Sequence, residues 1–238
     1  MTRYKQDKSL CAVASSASTA NYYNPEIDYL VAKRIARKHV TSKLSDGMRA
    51  GQIGLLLNAL GFNKVRLIAC DVNIVDFAWN KFSNIKKIEA IQDLLNSGGY
   101  SHSQRFELKC LKKFLSNPGY KNELIVDNHF GEHIRTALDE RKPVMASYNW
   151  TMLCRTPKQN RRGNSDFING TCDYHEVCLR GYSEDKVYIV DSHHEFYKRK
   201  LKCFSGGYYS VYWEELLLAM GIGDIIIPME YDKNKIKI

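Results

Sequence analysis

No stretch of this chain can cross a membrane as a helix: a span needs about eighteen or more consecutive apolar residues, and the sequence has no such run. The opening residues, Met1-Thr2-Arg3-Tyr4-Lys5-Gln6, lack the apolar core of a secretory signal, so no signal peptide is expected. The seven cysteines are odd in number and scattered, without a disulfide framework. That pattern points to free thiols in the cytoplasm or another reducing compartment. Phosphate-binding loops and dinucleotide fingerprints are also missing, and there is no internal repeat. No metal or organic cofactor is therefore called for.

What is present is one domain's worth of chain. The 238 residues are 44% apolar, enough for a sizeable core. The net charge of +9 marks a basic protein. Its cations are spread out: Lys33-Arg34, Arg37-Lys38, Lys86-Lys87, Lys112-Lys113, Arg161-Arg162, Lys198-Arg199-Lys200. No nucleic-acid-binding module accompanies them. Solvated basic faces are the first expectation, and an anionic partner or a place in a larger assembly the second.

The first half reads as helical. Leu10 to Tyr23 is rich in small residues that allow close packing, with Ser9 as the expected N-cap and Asn24-Pro25 as the stop. Further helices are expected over about Glu26 to His39, Gly51 to Leu60 and Ser103 to Leu115, with a short strand at Val65 to Ala69. The second half carries strand patterns at Pro143 to Tyr148, Tyr174 to Tyr182, Lys186 to Asp191, Tyr208 to Tyr212 and Ile225 to Met229. A helix around Gly131 to Arg141 precedes them. Thr156 to Gly170 reads as a polar loop. The outline is an α+β fold, a helical N-terminal half packed on a small antiparallel sheet.

Chemistry-bearing residues fall into one order. Cys11 opens its helix, where the macrodipole favours a thiolate, the only useful nucleophilic form of the thiol. His175 opens a late strand, and Asp191, sixteen residues on, ends the next. Neighbouring antiparallel strands bring such residues side by side. Asp191 could then orient one ring nitrogen while the other faces the thiol. Gln6, five residues before Cys11, could donate its amide to an oxyanion together with the Cys11 N–H.

This Gln, Cys, His and Asp order resembles the papain-like cysteine peptidases. Within them the chain is most similar to stand-alone relatives of the double-glycine leader peptidases that process bacteriocins. Gly51-Gln52-Ile53-Gly54-Leu55-Leu56-Leu57-Asn58-Ala59-Leu60-Gly61-Phe62 resembles their helix ending in Leu-Gly, and Arg141-Lys142-Pro143-Val144 their strand entry before the His. Trp213, with Gly221 and an apolar strand after it, is similar too. The resemblance implies a papain-like fold in a single domain over 1–238, with a helical lobe over about 1–120 and a sheet lobe over about 121–238. It implies hydrolysis of a peptide or protein substrate, at a peptide or isopeptide bond, by Cys11, His175 and Asp191. Gln6 would assist as an oxyanion donor. From the sequence itself, neither a propeptide before Cys11 nor an attached membrane domain is expected.

Three other readings compete. His129-Phe130-Gly131-Glu132-His133 matches the H-x-x-E-H spacing of a zinc peptidase, with two exposed histidines at a helix start as its bland counterpart. The fold could persist as a non-catalytic structural or assembly module, for instance in a virus particle. A peptidoglycan amidase or endopeptidase would use the same triad, and positive charge would suit its substrate. Cys172 and Cys178 cannot share ligands with His175 on a strand, because alternation sends the histidine to the other face.

Overall fold

A computed structural model describes residues 1–7, 9–44, 47–160, 164–193 and 207–237. Arg161-Arg162, Lys198-Arg199-Lys200 and His194 lie outside them. The fold is mixed α+β, as the alternation of helical and strand periodicities led one to expect. Seven strands form one sheet, in the order β2 (Glu123–Val126), β1 (Phe62–Ala69), β7 (Asp224–Tyr231), β3 (Val144–Asn149), β4 (Tyr174–Tyr182), β5 (Lys186–Val190) and β6 (Tyr208–Tyr212). The β1–β2 pair is parallel and the other pairs are antiparallel.

Helices cover both faces. One core cluster joins α1 (Cys11–Tyr23), α2 (Tyr29–His39), α3 (Ala50–Ala59) and α5 (His102–Leu115) to one sheet face. The other cluster lies beneath α6 (Phe130–Asp139), α7 (Trp150–Leu153) and α8 (Trp213–Met220). A further helix, α4 (Asn84–Ser97), flanks α5. The helical half is thus not a separate layer: its β1 lies inside the sheet.

Small side chains place α1. Ser15 Oγ donates to the Glu176 carbonyl at 2.9 Å, and Thr19 Oγ1 meets Cys178 Sγ at 3.2 Å. A helix whose hydroxyls touch strand backbone must lie close to that strand, and bulkier residues would push it off. All of Ala12 to Ala20 is buried in consequence. The helix therefore projects its first residue, Cys11, along β4 toward the end where His175 stands.

Candidate active site

Cys11 is the first residue of α1. Its N–H belongs to the turn that has no acceptor within the helix, at the positive end of the dipole. Ser9 is not the cap that the sequence led one to expect. Leu10 holds the N-cap position, with no side-chain bond to the turn, and Ser9 adopts a φ of 58°. A left-handed turn tilts the chain into the helix without covering the first amides, so those donors remain open to an incoming anion.

His175 is the second residue of β4, paired with Tyr148 of β3. It is 7% exposed. Its Nε2 lies 2.8 Å from Asp191 Oδ1, and Cys11 lies close enough to the ring to favour its protonated form. With Nε2 committed to Asp191, Nδ1 is the nitrogen left to serve the thiol. Burial works against the imidazolium, but the Asp191 charge and hydrogen bond, with the nearby Cys11 thiol adding to them, outweigh it. The net effect pushes His175 up to about 10.

Asp191 follows β5 and is fully buried. Tyr209 Oη donates to its Oδ2 at 2.8 Å and Tyr148 Oη at 3.4 Å, while the His193 N–H donates to Oδ1 at 2.6 Å. A buried carboxylate needs such donors to remain charged. The main chain is pinned as well. Asp191 N–H donates to the Gly207 carbonyl at 2.8 Å, and Arg3 Nε donates to the Asp191 carbonyl at 2.8 Å. Gly207 has a φ of 86°, and a Cβ there would come within 2.1 Å of Arg3 Nε, so no other residue fits.

Gln6 is held beside this pair. Its N–H donates to the Ser192 carbonyl at 3.3 Å, and its Oε1 accepts from the Ser192 hydroxyl. With Oε1 occupied, the amide NH2 is the group left to meet a substrate. Trp150 packs edge-on to the His175 ring, with centroids 5.2 Å apart, and His193 lies 6.1 Å from it on another side. The Trp150 and Tyr148 rings packed against His175 limit the access of water to its bond with Asp191.

Sequence reasoning missed Arg3, Tyr148, Trp150, His193 and Tyr209. Tyr148 could have been found by pairing the two strands already recognised, since it stands opposite His175. Tyr209 follows from β6 pairing with β5, Ile189 opposite Tyr209. Nothing local marks Arg3 or Trp150.

The zinc-like motif is used differently. His129 Nδ1 lies 2.7 Å from Asp127 Oδ1 and His133 Nε2 lies 2.9 Å from Asp127 Oδ2. Both histidines thus spend a nitrogen on one carboxylate. Among the described residues no group of three or more His, Cys, Asp or Glu side chains is placed to hold a metal ion. Cys172 is exposed ahead of β4, and Cys178 is buried against α1.

Comparison with known proteins adds a family. Residues 1–216 match the Peptidase_C39 like family. A Bacillus anthracis protein, solved as a crystal structure under the name of a C39-like peptidase, is 15% identical in sequence. The alignment covers 97% of this chain and 96% of that one, with a TM-score of 0.40. No curated protein matches the sequence.

Proposed function

The chain belongs to the Peptidase C39-like family, and from that premise we propose that it is a cysteine peptidase acting through Cys11, His175 and Asp191. The observation that supports this most is the buried His175–Asp191 hydrogen bond of 2.8 Å, with Cys11 close enough to the ring to favour its protonated form. His175 holds the thiol proton as an imidazolium, and Cys11 Sγ attacks the substrate carbonyl carbon as the thiolate. The oxyanion of the tetrahedral intermediate meets the Cys11 N–H and the Gln6 amide. His175 then gives its proton to the leaving amine, which leaves a thioester on Cys11. Water, deprotonated by His175, attacks the thioester, releases the acid and restores the thiol. Asp191 orients the ring and balances its charge throughout.

We read the whole chain as one papain-like domain, with β1 of the helical lobe inserted in the sheet of the other. Among the described residues no helix is long and apolar enough to cross a membrane. The similarity to double-glycine leader peptidases names the first substrates to try, peptides with Gly-Gly before the scissile bond. The test is turnover of such peptides, and of isopeptide-linked analogues, by wild type and Cys11→Ala. Cleavage lost in the variant is expected. Cleavage that survives in it would overturn the assignment.

A further inference from the structure

Residues 1–7 lead into α1 and so to Cys11, and their contacts fall on the chain that follows β5. Arg3 Nε donates to the Asp191 carbonyl at 2.8 Å, and Arg3 Nη2 donates to the Ser192 carbonyl at 3.4 Å. The Gln6 N–H donates to that same Ser192 carbonyl at 3.3 Å, and the Ser192 hydroxyl donates to Gln6 Oε1. Behind these, the Arg3 N–H donates to Tyr208 Oη at 3.1 Å, and Tyr208 Oη donates to the Met1 carbonyl at 3.3 Å. One side chain thus joins the segment that carries Gln6 to the two residues on which His175 and Gln6 depend.

The Arg3 side chain lies in a slot that the opposite chain leaves open. A Cβ on Gly207 would come within 2.1 Å of Arg3 Nε and 2.5 Å of Arg3 Cδ. The Gly207 carbonyl accepts the Asp191 N–H at 2.8 Å, so the residue that opens the slot also holds Asp191 from its other side. Arg3 is half-buried, and burial pulls its guanidinium below the ordinary 12.5 while the Asp191 charge opposes the fall. A planar guanidinium holds two acceptors at a fixed angle to each other, which an ammonium on a flexible stem does not. Its two acceptors here flank the peptide between Asp191 and Ser192. If that peptide rotated, the Asp191 carboxylate would swing away from His175 Nε2, and Ser192 would loosen its hold on Gln6.

We propose that Arg3 is a positioning residue of the site: it locks the Asp191–Ser192 peptide, so that the partner of His175 and the oxyanion donor Gln6 stay in register with Cys11. The role rests on the peptidase reading above. The test compares wild type with Arg3→Ala and Arg3→Lys by two readouts. The first needs no substrate. The His175 proton shared with Asp191 is deshielded by that bond and gives a low-field proton NMR signal. The signal should move upfield, or vanish by exchange with water, in Arg3→Ala. Arg3→Lys keeps the charge and one donor but not the fork, so it should fall between. The second readout is turnover of peptides with Gly-Gly before the scissile bond. Arg3→Ala should lower kcat roughly tenfold or more, because a small misplacement of reacting groups is costly. KM should stay within about twofold, since no substrate-binding group is removed. A merely structural role would lower the melting temperature and leave the signal and kcat of the folded protein unmoved. Should Arg3→Ala not fold, Arg3→Lys carries both readouts. An unmoved signal, a loss confined to KM, or Arg3→Lys equal to wild type in both readouts would overturn the role. A signal that moves in a protein whose wild type cleaves no peptide would instead defeat the peptidase reading and leave the Arg3 clamp standing.

Discussion

Two aspartate–histidine clusters sit among the described residues, and burial separates them. Asp191 and His175 are 0% and 7% exposed as side chains, whereas His129 is 67% exposed and its partner Asp127 is 28% exposed. The contacts are alike, 2.8 Å in one and 2.7 Å in the other. Distance therefore does not distinguish them. In the buried cluster the carboxylate is held by named donors, and the Cys11 thiol lies close enough to the histidine to favour its protonated form. In the surface cluster solvent screens the same attraction, and such pairs contribute little. A His–Asp contact read from coordinates says nothing of chemistry until its burial and its third partner are known.

The sharpest break between the clusters concerns turnover. Cys11→Ala and His175→Ala should each lower kcat/KM by roughly a hundredfold or more, and the double variant should lose little beyond either, because the pair acts as one unit. Fully additive losses would mean that the two groups work separately. His129→Ala and His133→Ala should leave turnover unchanged, and a chelator should do the same. Activity abolished by the chelator would transfer the chemistry to the surface cluster.

Asp191→Asn should cost less than loss of the nucleophile, since Asp191 orients and does not react. Partial activity is expected, with a stability loss of about 1–3 kcal/mol from donors left facing an amide. Chemical denaturation of the same preparations measures the second effect.

The pH dependence of stability sharpens the contrast further. His175 is raised in the folded state, so its pairing contributes fully below its ordinary value of 6.5 and is lost as pH climbs toward about 10. Wild type should lose thermal stability across that window more steeply than His175→Ala. Asp127 behaves in the opposite sense. Burial alone would raise it, but hydrogen bonds from the His129 amide and the two imidazoles win and hold it low. Its contribution is present above the ordinary 3.8 and is lost as pH falls below it. The smallest expected effect is His133→Ala, a loss of under about 1 kcal/mol from the start of α6.

The frame of the fold was legible because its signals are local. Period-two alternation marked β3, strand-like apolar patterns marked β4, β5, β6 and β7, and small residues marked α1 as a helix packed close to its neighbours. Three short elements left no such signal. Glu123–Val126, Trp150–Leu153 and Trp213–Met220 span four, four and eight residues, and tertiary packing decides their form. The order of Cys11, His175 and Asp191 was readable because a nucleophile needs a base and the base an orienter. Their supports were not readable, because Arg3 and Tyr209 reach Asp191 from 188 and 18 residues away. The turn at Ser9 misled for a physical reason: serine before a helix usually caps it, and here the left-handed backbone displaces it by one residue.

Alkylation tests the central claim, that Cys11 is a nucleophile served by His175, without any knowledge of substrate. Iodoacetamide modification near pH 6, mapped by mass spectrometry, compares Cys11 with the exposed Cys172. Cys11 should react faster despite being the less exposed, and His175→Ala should abolish the advantage. Equal rates at Cys11 and Cys172, or a Cys11 rate indifferent to His175, would contradict the account and leave a peptidase fold that serves as a binding or assembly module.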